Sequence, residues 1–392
     1  MAAFQMEISR RRLQTAKKIV LKTLVAIAYG AFLRNNRKSS AKEVHHPKRI
    51  LLLNGFHIGD VIIATSVIPI LRSAFPSVEI GFATGSWSQM VVKKHPEISY
   101  THCVDHWRLN RGQVSFYKKL IQYRESRRVA LKEIRELKYD VAISLFTQFP
   151  DFLDLSWAAK IPVRIGFGRS IFSSLATDLV DEPEGPFVHQ GARLAETLRV
   201  LPIDPAHFQR RQSTLAPSDA SSIQEVCSLL QIASIENTRY RIIHMGAGLA
   251  YKELPVSFWR ELAEKLSQEN TLLFTGSGKQ EEENIAAAII GLRNCINACG
   301  RLTWDGFVAA VRYAEVLYGV DTMAGHVAGA VGTKCVVVSA GAAGVARWRP
   351  EGRDSIVITN HVPCAPCHRP LGCAAMTCLQ GISRDDLVRL GH

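Results

Sequence analysis

Three short stretches place chemically useful residues where a ligand could reach them. The first, RILLLNGFHIGDVIIATSVIPIL, joins the apolar run Ile50–Leu53 to an apolar helical pattern through His57, Gly59 and Asp60. A carboxylate in the first turn of a helix is favoured in its ionised form by a few tenths to about 1 kcal/mol, because the helix amides point toward it. Held ionised beside an apolar strand, it could serve as a general base. The same residue could equally do no more than cap the helix.

The second stretch, RIIHMGAGLAYKELP, ends an apolar run at His244. Gly246 and Gly248 then let the backbone approach a ligand before Lys252, so exposed amides and one ammonium could cradle an anion. It is not a P-loop, since the Gly-Lys-Ser/Thr ending is absent, and the nearby TGSGKQ, which holds Gly276, fails the same pattern. In the third, LYGVDTMAGHVAGAVG, a strand runs into Asp321 and Thr322. The small-residue helix Met323–Val331 can aim its first amides at a pyrophosphate, with His326 about one turn in. His326 fits a satisfied core histidine just as well.

Cys364, Cys367, Cys373 and Cys378 form a fourth cluster. A Cys-x-x-Cys start with two more thiols nearby suits a structural sulfur site for zinc, or for iron. Free or redox-active thiols and a pair of disulfides are the rival readings. The other five cysteines are dispersed, which speaks against a secreted disulfide framework and for a reducing, cytoplasmic setting.

The elements that must carry these residues alternate. Strands are expected at Ile50–Leu53, Val78–Ala83, Val141–Leu145 and Arg164–Phe167, with helices at Val61–Phe75 and Tyr117–Leu137. Phe208–Ser222 reads as a linker. Strands follow at Tyr240–His244, Thr271–Phe274, Val316–Tyr318 and Cys335–Ser339, with helices at Val256–Ser267 and Gln280–Leu292. Such alternation implies parallel sheets covered on both faces. The expected organisation is α/β: an arm (1–47), a Rossmann-like domain (48–212) and a second one (213–392) carrying the Cys-rich loop 363–379. Ligands belong near the carboxyl ends of the strands.

The net charge of +13 is unevenly spread. Residues 1–49 hold 12 Lys/Arg against 2 Asp/Glu, leaving 36 against 33 for the rest. No basic and aromatic stripe recurs in the body, which argues against a nucleic-acid partner. In the arm, Leu13, Ala16, Val20, Leu24, Ile27 and Ala31 share a helical face opposite Arg11, Lys18 and Lys22. The apolar run Thr23–Leu33 is about half of the ~20 residues needed to cross a bilayer. A basic amphipathic helix over 8–34, lying on an anionic membrane surface, fits this pattern. A targeting peptide and a helix packed on protein fit it too.

Taken together and in order, these stretches resemble glycosyltransferase family 9, the ADP-heptose:lipopolysaccharide heptosyltransferases. HIGDVIIATSVIPILRSAFPSVEI matches the family's first strand–helix junction, MGAGLAYK its phosphate loop, and DTMAGHVAGAVG its later helix start. The ARWRP of Ala346–Pro350 and the closing Cys-rich segment are also similar, so the resemblance spans about residues 48–383. It implies a GT-B fold with two facing Rossmann-like domains, acceptor on the first and nucleotide-sugar on the second. It further implies an inverting, metal-independent transfer with no cofactor required for catalysis. By position, Asp60 corresponds to the base, with His57 and Gly59 on the acceptor side. Gly246, Gly248, Lys252, Gly276, Asp321, Thr322, Met323 and His326 fall on the donor side, and Glu281 or Glu282 to the ribose. The partners implied are a nucleotide-sugar donor and a lipid-linked saccharide acceptor, at the cytoplasmic face of a bacterial inner membrane.

Departures stand at His57 (usually Ser), Met245 (usually Pro), Met323 (usually Gly) and Ala340–Gly344. The alternatives are an inactive GT-B scaffold that binds sugar, or another α/β enzyme using a nucleotide. A clean Gly-x-Gly-x-x-Gly after the first strand is missing, which counts against an oxidoreductase.

Overall fold

The computed structural model of the chain describes residues 39–392 except 184, 186, 237, 342, 343, 368, 370 and 371. The basic helix expected over 8–34 therefore lies outside the described residues. Residues 40–48 pack against the first sheet. The Ala41 amide and Ser40 hydroxyl donate to Asp178, and the Lys48 amide donates to Asp140 at 2.6 Å. Among the described residues no helix is long and apolar enough to cross a membrane.

Two parallel sheets carry the chain. The first contains β1 (Arg49–Leu53), β2 (Glu79–Thr84), β3 (Tyr100–Cys103), β4 (Val141–Ser144), β5 (Val163–Phe167) and β6 (Asp178–Val180). Their order is β3-β2-β1-β4-β5-β6, every pair parallel. The second contains β7 (Tyr240–His244), β8 (Thr271–Thr275), β9 (Cys295–Asn297), β10 (Val316–Val320), β11 (Lys334–Val338) and β12 (Ser355–Ile358). Its order, β12-β11-β10-β7-β8-β9, is again parallel throughout. Counted from its own first strand, each sheet follows 3-2-1-4-5-6, the doubly wound Rossmann order. The strand order reverses between β1 and β4 in one sheet and between β7 and β10 in the other, and ligands bind at such points.

The inner strands were legible because both of their faces are covered. Ile50–Leu53 are fully buried, as are Ile242, Ile243, Leu272 and Leu273. The four strands absent from the sequence reading, β3, β6, β9 and β12, are the four sheet edges. They are short and only partly covered, and only β12 carries an apolar run, the three residues Ile356–Ile358.

The helices that bear on function are α1 (Ile58–Ala64), α2 (Ile68–Ala74), α3 (Phe116–Leu137), α4 (Val256–Leu266), α5 (Lys279–Ile289) and α6 (Met323–Val331). The single helix expected over Val61–Phe75 is in fact α1, a 3₁₀ turn at Thr65–Val67, and α2. Pro69 lacks an N–H and is tolerated only at a helix start, so the chain restarts there. Thr65 completes the break by donating its hydroxyl to the Ile62 carbonyl at 2.7 Å.

The chain divides into two compact units. One holds the first sheet and Gly191–Arg211; the other holds Gly185–Gln190 and Gln212–His392. The second is centred on Trp259, Leu262, Phe274, Tyr318 and Val336, all fully buried.

Candidate active site

In the first unit, Asp60 lies in the first turn of α1, which begins three residues earlier than the apolar pattern suggested. His57 is its N-cap residue and makes no side-chain cap. The junction is fixed by Asn54, which is buried and donates its amide to the Leu145 carbonyl at 3.1 Å while accepting from the Phe56 amide. Gly55 is required here, because a Cβ would lie 2.3 Å from the Phe152 ring. His57, Gly59 and Asp60 are half-buried.

The His57 Nε2 sits 3.3 Å from the Leu109 carbonyl, so Nε2 carries the proton and Nδ1 does not. Burial, then the nearby Arg111 charge, lower its pKa to about 4, so the ring is neutral near pH 7. Asp151, in the loop after β4, is deeply buried, and its carboxyl is pushed up to about 8 by burial.

In the second unit, β7 delivers His244, Gly246 and the loop to Lys252. Gly248 is exposed on that loop, and Lys252 ends a 3₁₀ turn, Ala250–Lys252. Glu281, in the first turn of α5, folds back over two glycines. A Cβ on Gly246 would come within 2.0 Å of its carboxylate, and one on Gly276 within 2.4 Å. Burial raises its pKa while the Ser277 and Gly246 amides oppose the shift, with Ser277 donating to Oε2 at 2.9 Å. Glu281, Gly246 and Ser277 line a cavity of about 320 Å³ with Ala247, Leu254 and Asn284. Glu282 is exposed, so the geometry separates the two candidate carboxylates in favour of Glu281.

Beside this cavity β10 delivers Asp321 to the start of α6. The Lys252 ammonium donates to the Asp321 carboxylate at 2.9 Å and to its backbone carbonyl at 3.0 Å, using two of three donors. Thr322 is the N-cap of α6 but provides no side-chain cap, and its buried hydroxyl has no hydrogen-bond partner among the described residues. The first amides of α6, from Met323 on, have no acceptor within the helix. The third donor of Lys252, these amides and that hydroxyl form a set suited to a diphosphate.

His326 is buried one turn further, and burial lowers its pKa to about 4. Its ring feels Asp321, Lys252, His189 and Glu351. The last two were missed by the sequence reading. His189 Nδ1 lies 2.9 Å from Glu351 Oε1, and its Nε2 lies 2.9 Å from the Arg349 carbonyl. Ser213 donates to the other Glu351 oxygen at 3.0 Å, and Arg347 donates to Gln190 at 2.8 Å. Glycines admit this segment. A Cβ on Gly329 would meet the Glu351 backbone oxygen, and one on Gly325 would lie 2.8 Å from Pro350. The only sequence signal was that Glu351 directly follows the Ala346–Pro350 motif.

The four thiols of the cysteine cluster are spread over their loop. Cys364 is exposed, Cys367 and Cys373 are half-buried and Cys378 is buried, all as free thiols. Among the described residues no three His, Cys, Asp or Glu side chains converge to hold a metal. Hydrogen bonds to its backbone hold the loop. The Cys367 amide donates to Gly341, and Asn360 donates to the Thr377 and Gln380 carbonyls. Cys378 packs beneath Gly341, where a Cβ would lie 3.2 Å from its own. As folded, these thiols do not fit the expected zinc or iron site.

Comparison with known proteins bears on both units. The family model described as glycosyltransferase family 9 (heptosyltransferase) matches residues 127–374. The chain is 22% identical over 330 residues to lipopolysaccharide heptosyltransferase 1 of Pseudomonas aeruginosa, covering 81% of this chain and 86% of that protein. Among solved structures, it resembles a family 9 glycosyltransferase from Veillonella parvula (TM-score 0.73, 18% identity, 88% of this chain and 96% of that one). It also resembles E. coli ADP-heptose lps heptosyltransferase II (TM-score 0.67, 18% identity, 88% and 97%). A third is the E. coli heptosyltransferase WaaC solved with ADP (TM-score 0.64, 15% identity, 87% and 98%). These likenesses support the two-domain α/β fold of the GT-B type.

Proposed function

The chain belongs to glycosyltransferase family 9 and is a glycosyltransferase, and from that premise we propose that it transfers heptose from ADP-heptose to a lipopolysaccharide core acceptor with inversion at the anomeric carbon. The observation that carries the donor half is the Lys252–Asp321 pair at the start of α6, beside the cavity that Glu281 lines. In this reading Glu281 accepts from the ribose hydroxyls. The diphosphate meets the third Lys252 donor, the Thr322 hydroxyl and the amides from Met323 on. His326, neutral and buried, supports the helix start rather than exchanging a proton.

Asp60 takes the proton of the acceptor hydroxyl as its oxygen bonds to the anomeric carbon. The bond to the ADP oxygen breaks on the opposite face, and the new negative charge falls to Lys252 and the helix amides. His57, with Nε2–H committed to Leu109, presents an unprotonated Nδ1 that can accept from an acceptor hydroxyl. The acceptor being a lipid, the enzyme works at the cytoplasmic face of the inner membrane, and the basic segment 8–34 lies on the anionic leaflet.

Calorimetric titration with ADP-, UDP-, GDP- and CDP-sugars, followed by determination of the anomeric configuration of the product, tests this. Tightest binding of ADP-heptose and an inverted product are expected. Retention of configuration, or preference for another nucleotide, would overturn it.

A further inference from the structure

The start of α3 presents an apolar face to solvent. Phe116 is 59% exposed, Tyr117 74%, Leu120 36% and Ile121 38%. At about 100° per residue these four fall within one arc of roughly 140°. Arg124 falls inside the same arc one turn later. The face is part of a well-fixed helix start. Ser115 caps it by accepting from the Lys118 amide, and Lys119 donates to the Asn110 carbonyl at 2.8 Å. Trp107 meets the edge of Phe116 with ring centroids 5.4 Å apart.

Charge says what covers this face. Residues 106–124 contain Arg108, Arg111, Lys118, Lys119 and Arg124 and no Asp or Glu. Exposed apolar side chains with the exposed cations Lys118 and Arg124 on the same helix, and Arg108 and Arg111 in the loop before it, match an anionic lipid surface, with hydrocarbon below and acidic headgroups around. The patch is also continuous with the catalytic junction. The loop leading into α3 bonds to His57 through Leu109, and Arg111 lies close enough to bear on that ring.

We infer that Phe116–Ile121 form a second membrane contact, entering the interface of an anionic leaflet while Arg108, Lys118 and Arg124 meet its headgroups. This rests on the reading of the acceptor as a membrane lipid. It adds what that reading lacks, a docking surface on the unit that holds Asp60, so that an acceptor would be taken directly from the leaflet.

The test uses the full-length chain and vesicles of phosphatidylcholine with or without phosphatidylglycerol. In Tyr117→Trp, the added emission should be quenched by brominated acyl chains on the anionic vesicles only. Phe116→Ser/Tyr117→Ser should lower partition to those vesicles by about tenfold or more. Lys118→Gln/Arg124→Gln should reduce the preference for anionic lipid. Transfer to a deacylated, water-soluble acceptor should be unchanged in all three variants, because these side chains are exposed and lie outside the site.

Unchanged partition of Phe116→Ser/Tyr117→Ser would assign the contact to the N-terminal arm and overturn the inference. So would added emission in Tyr117→Trp that is indifferent to brominated lipid while the protein is bound. Binding to soluble heparin with none to vesicles would overturn it as well. Absence of sugar transfer with every donor would instead sink the functional reading, and the vesicle result would stand by itself.

Discussion

Lys252 and Asp321, 69 residues apart, are joined twice: the ammonium donates to the carboxylate at 2.9 Å and to the backbone carbonyl at 3.0 Å. The pair couples the loop after β7 to the loop after β10, the two loops that flank the reversal of strand order in the second sheet. Lys252→Met should lower kcat/KM by about a hundredfold or more, because one donor to the leaving diphosphate disappears. It also strands a mostly buried carboxylate, so urea denaturation should show a loss of about 1–3 kcal/mol. Retained kcat/KM would remove Lys252 from the donor site.

Glu281 should govern nucleotide affinity. Glu281→Gln is expected to weaken ADP binding by roughly ten- to a hundredfold, the equivalent of a charged hydrogen bond worth about 1.5–3 kcal/mol. Gly246→Ala should have a similar effect without touching a polar group, since its Cβ would displace that carboxylate. Glu282→Gln, at an exposed position, should leave the calorimetric affinity unchanged.

For Asp60, the expected outcome of Asp60→Asn is a fall in kcat by about 10²–10⁴ with ADP-heptose affinity retained, as removal of a general base predicts. Steady-state rates and donor calorimetry measured on the same preparation separate the two. A variant that transfers at the wild-type rate would reduce Asp60 to a helix-start carboxylate.

Acid should unfold the protein early. Burial depresses His57, His95, His106, His244 and His326 to about 4. Between pH 6.5 and 4 the unfolded chain binds protons that these folded imidazoles refuse, so stability is lost as pH falls through that window. Asp151, raised to about 8, acts in the opposite sense, taking up a proton in the fold where the unfolded carboxyl has none. Five histidines outweigh one carboxyl, so stability from urea titrations should drop from pH 7 to pH 5. His244→Asn should flatten that slope, because His244 is buried and its shift comes from burial alone.

The candidate site loops were legible because they are made of signals that need no tertiary context. Apolar runs covered on both faces gave β1, β7 and β10, and the residues just beyond them, Asp60, Gly246 and Asp321, follow from position. The helix Met323–Val331 was readable to its last residue, since Thr322 and Gly332 bound it. What stayed hidden depended on distant partners. The edge strands β3, β6, β9 and β12 borrow their form from a neighbour. His189 gains meaning only against Glu351, 162 positions away. The choice between Glu281 and Glu282 turns on one step around a helix, which places one over Gly246 and the other in water. The four cysteines, close in sequence, do not converge among the described residues, because the fold of their loop rather than their spacing decides where each thiol points.

The assignment of Gly185–Gln190 to the second unit, between two pieces of the first, bears on how such a protein can be recombined. The chain passes from one unit to the other three times, so a chimera that exchanges one whole unit and keeps the other needs three seams rather than one. A graft made with a single seam at 211/212 would leave His189 with one parent and Glu351 with the other. The two must then be co-selected, and libraries that keep them together should yield folded hybrids more often than libraries that shuffle them.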